Sequence, residues 1–313
     1  TRPDLYDLHA ERPPPIVERD RRFEVPERLD HRGEVVDPFG EDAARDVARA
    51  VADADVESVA VAFLFAFEDD AHERRMESIL REEGVDCETS LSSEVLPEIR
   101  EYERTLATTI NAALEPVMNR YLGRLEEGVA AAGVLAAVRV MQSNGGTADA
   151  EIVRKRAVTT VLSGPAAGVV GAKASAERAI SEQDLEGFVT FDMGGTSSDV
   201  SLIRDGDIAR TTDAEIDGHP IGIPMVDIET VGSGGGSIAW VDDGGALRVG
   251  PESAGAEPGP ACYGRGGTEP TVTDANVVLG YIGEEAALGG EVSLDADAAY
   301  ESLAELAEEA GLN

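Results

Sequence analysis

The stretch FVTFDMGGTSSDVSLI, Phe188–Ile203, sets an acid, two glycines and a run of hydroxyls between two apolar segments. Glycines let a backbone approach a ligand closely, and the amides of Gly194 and Gly195, with Thr196 and Ser197, could point at phosphate oxygens. Asp192, at the end of the first segment, could hold a magnesium ion through water, because Mg2+ takes oxygen ligands and keeps part of its hydration. The competing reading is a β-hairpin whose glycines only shape its tip.

Four other places carry candidate chemistry. Ser143-Asn144-Gly145-Gly146 follows the apolar segment Val138–Gln142. It is either a site wall beyond the carboxyl end of a sheet strand or a plain Asn-Gly turn. Gly232–Ser237 (GSGGGS) follows a strand expected over Met225–Thr230. Its Gly234, Gly235 and Gly236 suit a phosphate or nucleotide in the active-site cleft, against a structural loop as the alternative. Asp274, before an expected helix, is either the helix N-cap or a cleft carboxylate serving as base or magnesium partner. Cys262, in PGPACYG, is a nucleophile if its pKa is lowered and otherwise a small structural residue. The P-loop pattern GxxxxGK[ST], the GxSxG elbow and HExxH are all missing, and His9, His31, His72 and His219 form no metal pair. These gaps argue against a P-loop enzyme, a serine hydrolase and a zinc protease. No convincing GxGxxG stands at a strand–helix junction, which argues against a dehydrogenase.

Elements must carry these residues. A helix is expected over Asp42–Ala52, a buried strand over Val59–Phe67 (VAVAFLFAF), a helix over Glu68–Glu83 ending at Gly84, and a strand over Val85–Thr89. Strand, helix, strand is the unit of a parallel α/β sheet. Phe23–Val25 is a short strand candidate. Pro97–Ala132 reads as two helical segments divided at Pro116, because proline lacks an amide proton and favours a new first turn. Ser163 before Pro165 reads as the N-cap of a helix over Ala166–Arg178, with a close-packing face of Ala167, Gly168 and Gly171. Phe188–Ile203 is a hairpin, and the turn Arg204–Asp207 starts a third strand. From Ser293, Leu294, Ala298, Leu303, Leu306 and Ala310 recur at helical spacing.

The 313 residues suggest about two domains. With 42% hydrophobic residues the chain can build a sizeable core, and with 4% aromatics that core must be aliphatic. Sixty-two acidic against 26 basic side chains give a charge of −36, which repels nucleic acid. Lys occurs only at Lys155 and Lys173. Dense carboxylates with so little Lys suit high salt, where the Debye length falls to about 3 Å at 1 M; an acidic interaction surface is the alternative. The longest apolar run is too short to span a bilayer. Neither a signal-peptide pattern nor a cysteine pair at redox or metal spacing is present, so a reduced, cytoplasmic, membrane-free protein is expected. The chain opens on Thr1 rather than Met and stops within an expected helix, as a piece of a longer protein would.

FDMGGTSSDVSLI resembles the phosphate hairpin of the actin, sugar kinase and Hsp70 superfamily. More closely, it resembles that of the hydantoinase A and 5-oxoprolinase family, which also includes ATP-dependent subunits of acetone carboxylases. Further stretches resemble that family in order: RPDLYDL (Arg2–Leu8), EYERT (Glu101–Thr105), MQSNGG (Met141–Gly146) and TVLSGPAAGVVGA (Thr160–Ala172). VGSGGGSIAW (Val231–Trp240), AGAEPGPACYG (Ala254–Gly264) and TVTDANVVLG (Thr271–Gly280) complete the series.

The resemblance implies an α/β fold of ribonuclease H-like, actin-like ATPase lobes with mixed sheets flanked by helices. Residues 1–157 would be the rear of the first lobe and 158–313 the second lobe with the phosphate hairpin. The family's first hairpin, of DxGGTxTD type, is absent here. The implied function is ATP-dependent hydrolysis of a cyclic amide or imide, of hydantoin or 5-oxoproline type. Catalytic roles would fall to Asp192 and Asp274, with Asp192 as the magnesium ligand. ATP contacts would fall to Gly194, Gly195, Thr196, Ser197, Gly234, Gly235 and Gly236, and substrate contacts to Ser143, Asn144, Gly145 and Gly146. ATP and Mg2+ are the implied cofactors and a hydantoinase B-type subunit or domain the implied partner; self-association stays open. The alternatives are an acetone- or acetophenone-type carboxylase subunit and a non-catalytic actin-like nucleotide-binding module.

Overall fold

A two-stranded antiparallel ribbon, β1 (Arg28–Leu29) with β2 (Val35–Asp37), comes first in the computed structural model. The structure describes residues 13–180, 186–216, 218–283 and 293–312. The RPDLYDL stretch at Arg2–Leu8 and His9 lie outside the described residues. Phe23–Val25 forms no strand; Pro26 follows it and cannot donate to a ladder.

Helix α1 (Glu41–Asp53) leads to β3 (Ser58–Val61), which pairs in parallel with β4 (Glu88–Leu91) across α2 (Ala71–Glu82). Ala44, Ala48 and Val51 of α1 and Met76, Ile79 and Leu80 of α2 close a core with Val61 and Leu91. Gly84, at φ +84°, ends α2 as expected of a left-handed glycine. The strand expected over Val59–Phe67 stops at Val61, because β4 ends at Leu91 and offers no further ladder partner. Beyond it the chain turns, with Phe65 at φ +60°. Side chains satisfy that turn instead. The buried Glu73 carboxylate accepts from Phe63 N (3.1 Å), Ser92 Oγ (2.5 Å) and Ser93 N (2.9 Å). Buried Arg104 donates to the carbonyls of Phe63 and Glu98, both at 2.9 Å, and to Ser92 Oγ at 3.2 Å.

After α3 (Ser92–Val95), helix α4 runs unbroken over Glu101–Ala131, straight through Pro116. The expected division at Pro116 is therefore absent. Leu106, Ala107, Asn111, Ala112, Glu115 and Pro116 itself form the buried face, and that packing outweighs one lost helical hydrogen bond. Next come the antiparallel pair β5 (Arg139–Met141) and β6 (Thr147–Asp149), then α5 (Ala150–Lys155). Helix α6 (Ser163–Ile180) starts three residues before the expected Ala166, so Ser163 lies inside it rather than capping it. Pro165 sits in its first turn, where the missing amide proton costs nothing.

Strands β7 (Gly187–Met193) and β8 (Ser198–Arg204) form the expected hairpin, with β9 (Asp207–Ile208) added beyond the turn at Asp205-Gly206. The chain then makes two small ladders: β10 (Arg210–Thr211) with β13 (Met225–Val226), enclosing β11 (Glu215–Ile216) with β12 (His219–Pro220). The strand expected over Met225–Thr230 is split, because its two parts pair with different partners. β13 pairs with β10, whereas β14 (Glu229–Val231) pairs with β8. The hairpin β15 (Ser237–Val241) with β16 (Leu247–Ser253), helix α7 (Val272–Val278) and helix α8 (Ala296–Glu309) follow. The chain is thus mixed α/β, with small sheets and helices.

These elements divide into two compact units. The first runs through Ala167 and takes in Arg210–Val226; the second comprises Gly168–Ala209 and the chain from Asp227 onward. Within the first, Ile221, Ile223 and Met225 fill a core with Val95, Leu96, Ala107 and Val158. None of the helices among the described residues is long and apolar enough to cross a membrane.

Candidate functional site

In the second unit, β7 and β8 run in register from Gly187↔Arg204 to Met193↔Ser198, leaving Gly194–Ser197 as the tip, closed by Gly194 N to Ser197 O at 2.9 Å. β14 lies on the other side of β8 and delivers Gly232–Gly236 to that tip. Gly235 N donates to Gly194 O at 2.8 Å and Gly236 N to Gly195 O at 2.6 Å. Ser198 Oγ holds Ser233 O at 2.5 Å, and Ser237 Oγ accepts from Gly234 N at 2.8 Å. The two glycine clusters picked from the sequence are one structure.

The carbonyls of Gly194 and Gly195 are spent on the glycine loop. In a trans peptide the N–H points opposite to the C=O, so the amides of Gly195 and Thr196 are turned away from those acceptors. Those two amides and that of Ser197 bond no acceptor among the described residues. Gly195 and Thr196 are exposed, and a Cβ added at Gly195 would meet nothing within 4 Å. At Gly234 a Cβ would stand 2.6 Å from Ser197 N and 2.7 Å from Thr196 N, so only glycine lets the loop pack this closely against the tip. Consecutive amides with no protein acceptor are the donors that a cradle for an anion would use.

Asp192 stands across the ladder from Asp199 and is exposed, with no hydrogen-bond partner among the described residues. A Cβ on Gly168 of α6 would lie 3.0 Å from its Oδ2, so that glycine makes room for the carboxylate. Asp199 Oδ1 accepts from Thr230 Oγ1 at 2.7 Å. Among the described residues no group of three His, Cys, Asp or Glu could hold a metal alone. Asp192 is the carboxylate that would hold a magnesium ion here, since Mg2+ takes few protein ligands and keeps several waters.

Asp274 is not the N-cap of α7. Thr271 is, and Asp274 occupies the third helical position in a capping box. Its carboxylate is fully buried and accepts from Cys262 N (2.8 Å), Thr271 N (2.9 Å), Thr271 Oγ1 (2.7 Å) and Ala261 N (3.3 Å). Cys262 is fully buried, and burial, then Asp274, pushes its thiol up to about 12, so it is a structural residue and no nucleophile. Thr273 Oγ1, which the sequence reading passed over, donates to Gly235 O at 2.8 Å. Its only sequence signal is a hydroxyl beside a capping acid.

Ser143–Gly146 belongs to the first unit, where it is the turn of the β5–β6 hairpin rather than the end of a parallel strand. Gly145 takes φ +82°, as an Asn-Gly turn requires. Ser143 is buried, its hydroxyl bonded to the carbonyls of Thr159 and Val161, while Asn144 Oδ1 accepts from Gly146 N at 2.8 Å.

The chain matches two family models: hydantoinase/oxoprolinase over residues 104–313, and the hydantoinase/oxoprolinase N-terminal region over residues 1–84. The chain belongs to the hydantoinase/oxoprolinase family. Within it, the caprolactamase subunit alpha of Pseudomonas jessenii is 39% identical over 299 residues, 95% of this chain and 42% of that protein. The crystal structure of the ATP-dependent caprolactamase from that organism has a TM-score of 0.78 at 38% identity, covering 98% of this chain and 44% of the other. 5-Oxoprolinase 1 of Arabidopsis thaliana is 36% identical over 90% of this chain and 23% of its own length. A nucleotide-free acetone carboxylase structure, described under ATP-dependent acetone carboxylation, matches with a TM-score of 0.71 at 32% identity, over 92% of this chain and 41% of that one. The chain therefore spans less than half the length of these relatives.

Proposed function

We propose that this chain is the ATP-using part of an enzyme that opens a cyclic amide or imide. The observation that carries the proposal is the row of amides at Gly195, Thr196 and Ser197 with no acceptor among the described residues, at a hairpin tip against which Gly234 packs closely. An amide carbonyl is a weak electrophile. Transfer of the γ-phosphoryl group of ATP to its oxygen, releasing ADP, makes that oxygen a leaving group. Water then adds to the carbon and the ring C–N bond breaks, leaving an acyl phosphate, and a second water displaces inorganic phosphate to give the free carboxylate. Such transfer is catalysed by positioning and charge neutralisation. Here the tip amides and the hydroxyls of Thr196 and Ser197 hold phosphate oxygens, and Gly234–Gly236 back them. Asp192 orients magnesium, which neutralises phosphate charge when bound. Asp274, with its acceptor positions filled by protein donors, acts by fixing α7. Asn144, whose Nδ2 bonds nothing among the described residues, leaves a donor free for a ligand at the Ser143–Gly146 turn.

In this reading the chain carries two lobes of a ribonuclease H-like, actin-like ATPase, divided near residues 157–158, with Arg210–Val226 returning to the first. The first relative named above is itself a subunit, and a hydantoinase B-type partner completes the enzyme. A second reading, an ATP-dependent carboxylase subunit, is favoured by the acetone carboxylase likeness and uses the same hairpin. The test is ATP turnover by the full-length protein with lactams, hydantoins or ketones. Stimulation by a lactam or hydantoin supports ring opening, and stimulation by a ketone with bicarbonate supports carboxylation. Asp192→Asn should abolish turnover while circular dichroism stays unchanged; retained turnover would sink the role of Asp192.

A further inference from the structure

We infer that Thr273 is a positioning residue for the phosphate cradle, an inference that rests on the phosphate reading above. Thr273 is buried and makes no hydrogen bond to the tip itself. Both its donors go to one acceptor. Its amide reaches Gly235 O at 2.7 Å and its hydroxyl reaches the same oxygen at 2.8 Å. Gly235 O and Gly236 N–H belong to one trans peptide and point in opposite directions. Holding the oxygen at α7 therefore aims Gly236 N–H at Gly195 O, 2.6 Å away. Gly195 O and Thr196 N–H are again one peptide, so the same logic turns the Thr196 amide into the cradle. Thr273 thus sets the direction of a ligand-facing amide through two intervening peptide units.

Space constrains the arrangement as well. A Cβ at Gly235 would lie 2.7 Å from Thr273 Oγ1, and one at Gly236 would lie 2.9 Å from Gly195 O. Neither peptide can slide without breaking the contact that aims the next. Ordering of α7 alone does not require the Thr273 hydroxyl. The capping box of Thr271 and Asp274 already serves the helix start, and the Thr273 amide remains bonded without the hydroxyl.

The test is calorimetric binding of Mg-ATP and of adenosine to the full-length protein, wild type, T273V and T273S. Valine keeps the shape and removes one donor to Gly235 O. T273V should weaken ATP binding roughly fivefold to tenfold, the worth of about one hydrogen bond, and leave adenosine binding unchanged. T273S keeps the donor and should bind ATP like wild type. ATP binding unchanged in T273V, or an equal loss for ATP and adenosine, overturns the positioning role while leaving the phosphate reading intact. Loss of ATP binding in T273S with an unchanged melting temperature overturns it too, even where T273V does not fold. A wild-type protein that binds no ATP removes the phosphate reading and this inference with it.

Discussion

A single methyl group should have opposite consequences at Gly195 and Gly234. At Gly195 the added carbon meets open space, so Gly195→Ala should leave stability within about 0.5 kcal/mol of wild type. At Gly234 it collides with the Thr196 and Ser197 backbone, and Gly234→Ala should cost about 1–3 kcal/mol of overpacking. ATP affinity should fall by an order of magnitude or more in G234A, because relief of the clash must move the tip; thermal unfolding and calorimetry on both variants check the pair. Glu115 offers a second residue-level measurement. Burial, only partly offset by Ser90 Oγ at 2.7 Å, pushes its carboxyl from an ordinary 4.5 to about 7. The folded state keeps a proton that the unfolded chain has lost, so this group's stabilisation is complete below pH 4.5 and is lost as pH rises through about 7. Glu115→Gln should therefore gain melting temperature over wild type at pH 8 and not at pH 4; equal differences at both would contradict the assignment. The glycines of the cradle were legible as residues, because few other roles need several glycines after a strand. Thr273 was not, since its importance lies in two peptide planes that no spacing reveals.

The elements that could be read from sequence are those whose signal is local. Helix α1, the β7–β8 hairpin and the turn at Asp205-Gly206 carry their own periodicity and turn chemistry, and each forms within a residue or two of its expected bounds. Where the outcome depends on a partner elsewhere in the chain, local reading fails. The run after Val61 is as apolar as the strand before it, yet it turns because β4 has ended. Pro116 looks like a boundary until the buried face of α4 carries the helix across it. Arg104 is the clearest case of such a distant dependency, joining α4 to the chain after β3 through Phe63 O. Arg104→Ala would leave Glu98 O and Ser92 Oγ without a donor, Phe63 O with only the long bond from Ala66 N (3.4 Å), and Glu73 without a nearby cation. It should cost about 3 kcal/mol or more, read as a fall in the urea midpoint. A loss below about 1 kcal/mol would mean that the turn holds itself.

At the scale of the whole molecule, charge and connectivity matter most. With a formal charge of −36, raising potassium chloride from about 0.1 M to 2 M should raise the melting temperature by screening self-repulsion. A flat or falling curve would indicate that pairs such as Arg45–Glu82 and Arg75–Glu41, both at 2.6 Å, already neutralise the surface locally. The sequence suggested two domains, but the return of Arg210–Val226 to the first unit could not be read from it, because that segment carries no compositional mark of belonging to residues far earlier in the chain. That excursion bears on how the protein is made. A ribosome delivers Val95, Leu96, Ala107 and Val158 well before Ile221, Ile223 and Met225, so the first unit must wait with its core open while both strands of the phosphate hairpin emerge. Any nascent chain stalled between residues 168 and 226 would expose that one unfinished cluster to chaperones and proteases, while the cluster of α1, α2, β3 and β4 is already complete.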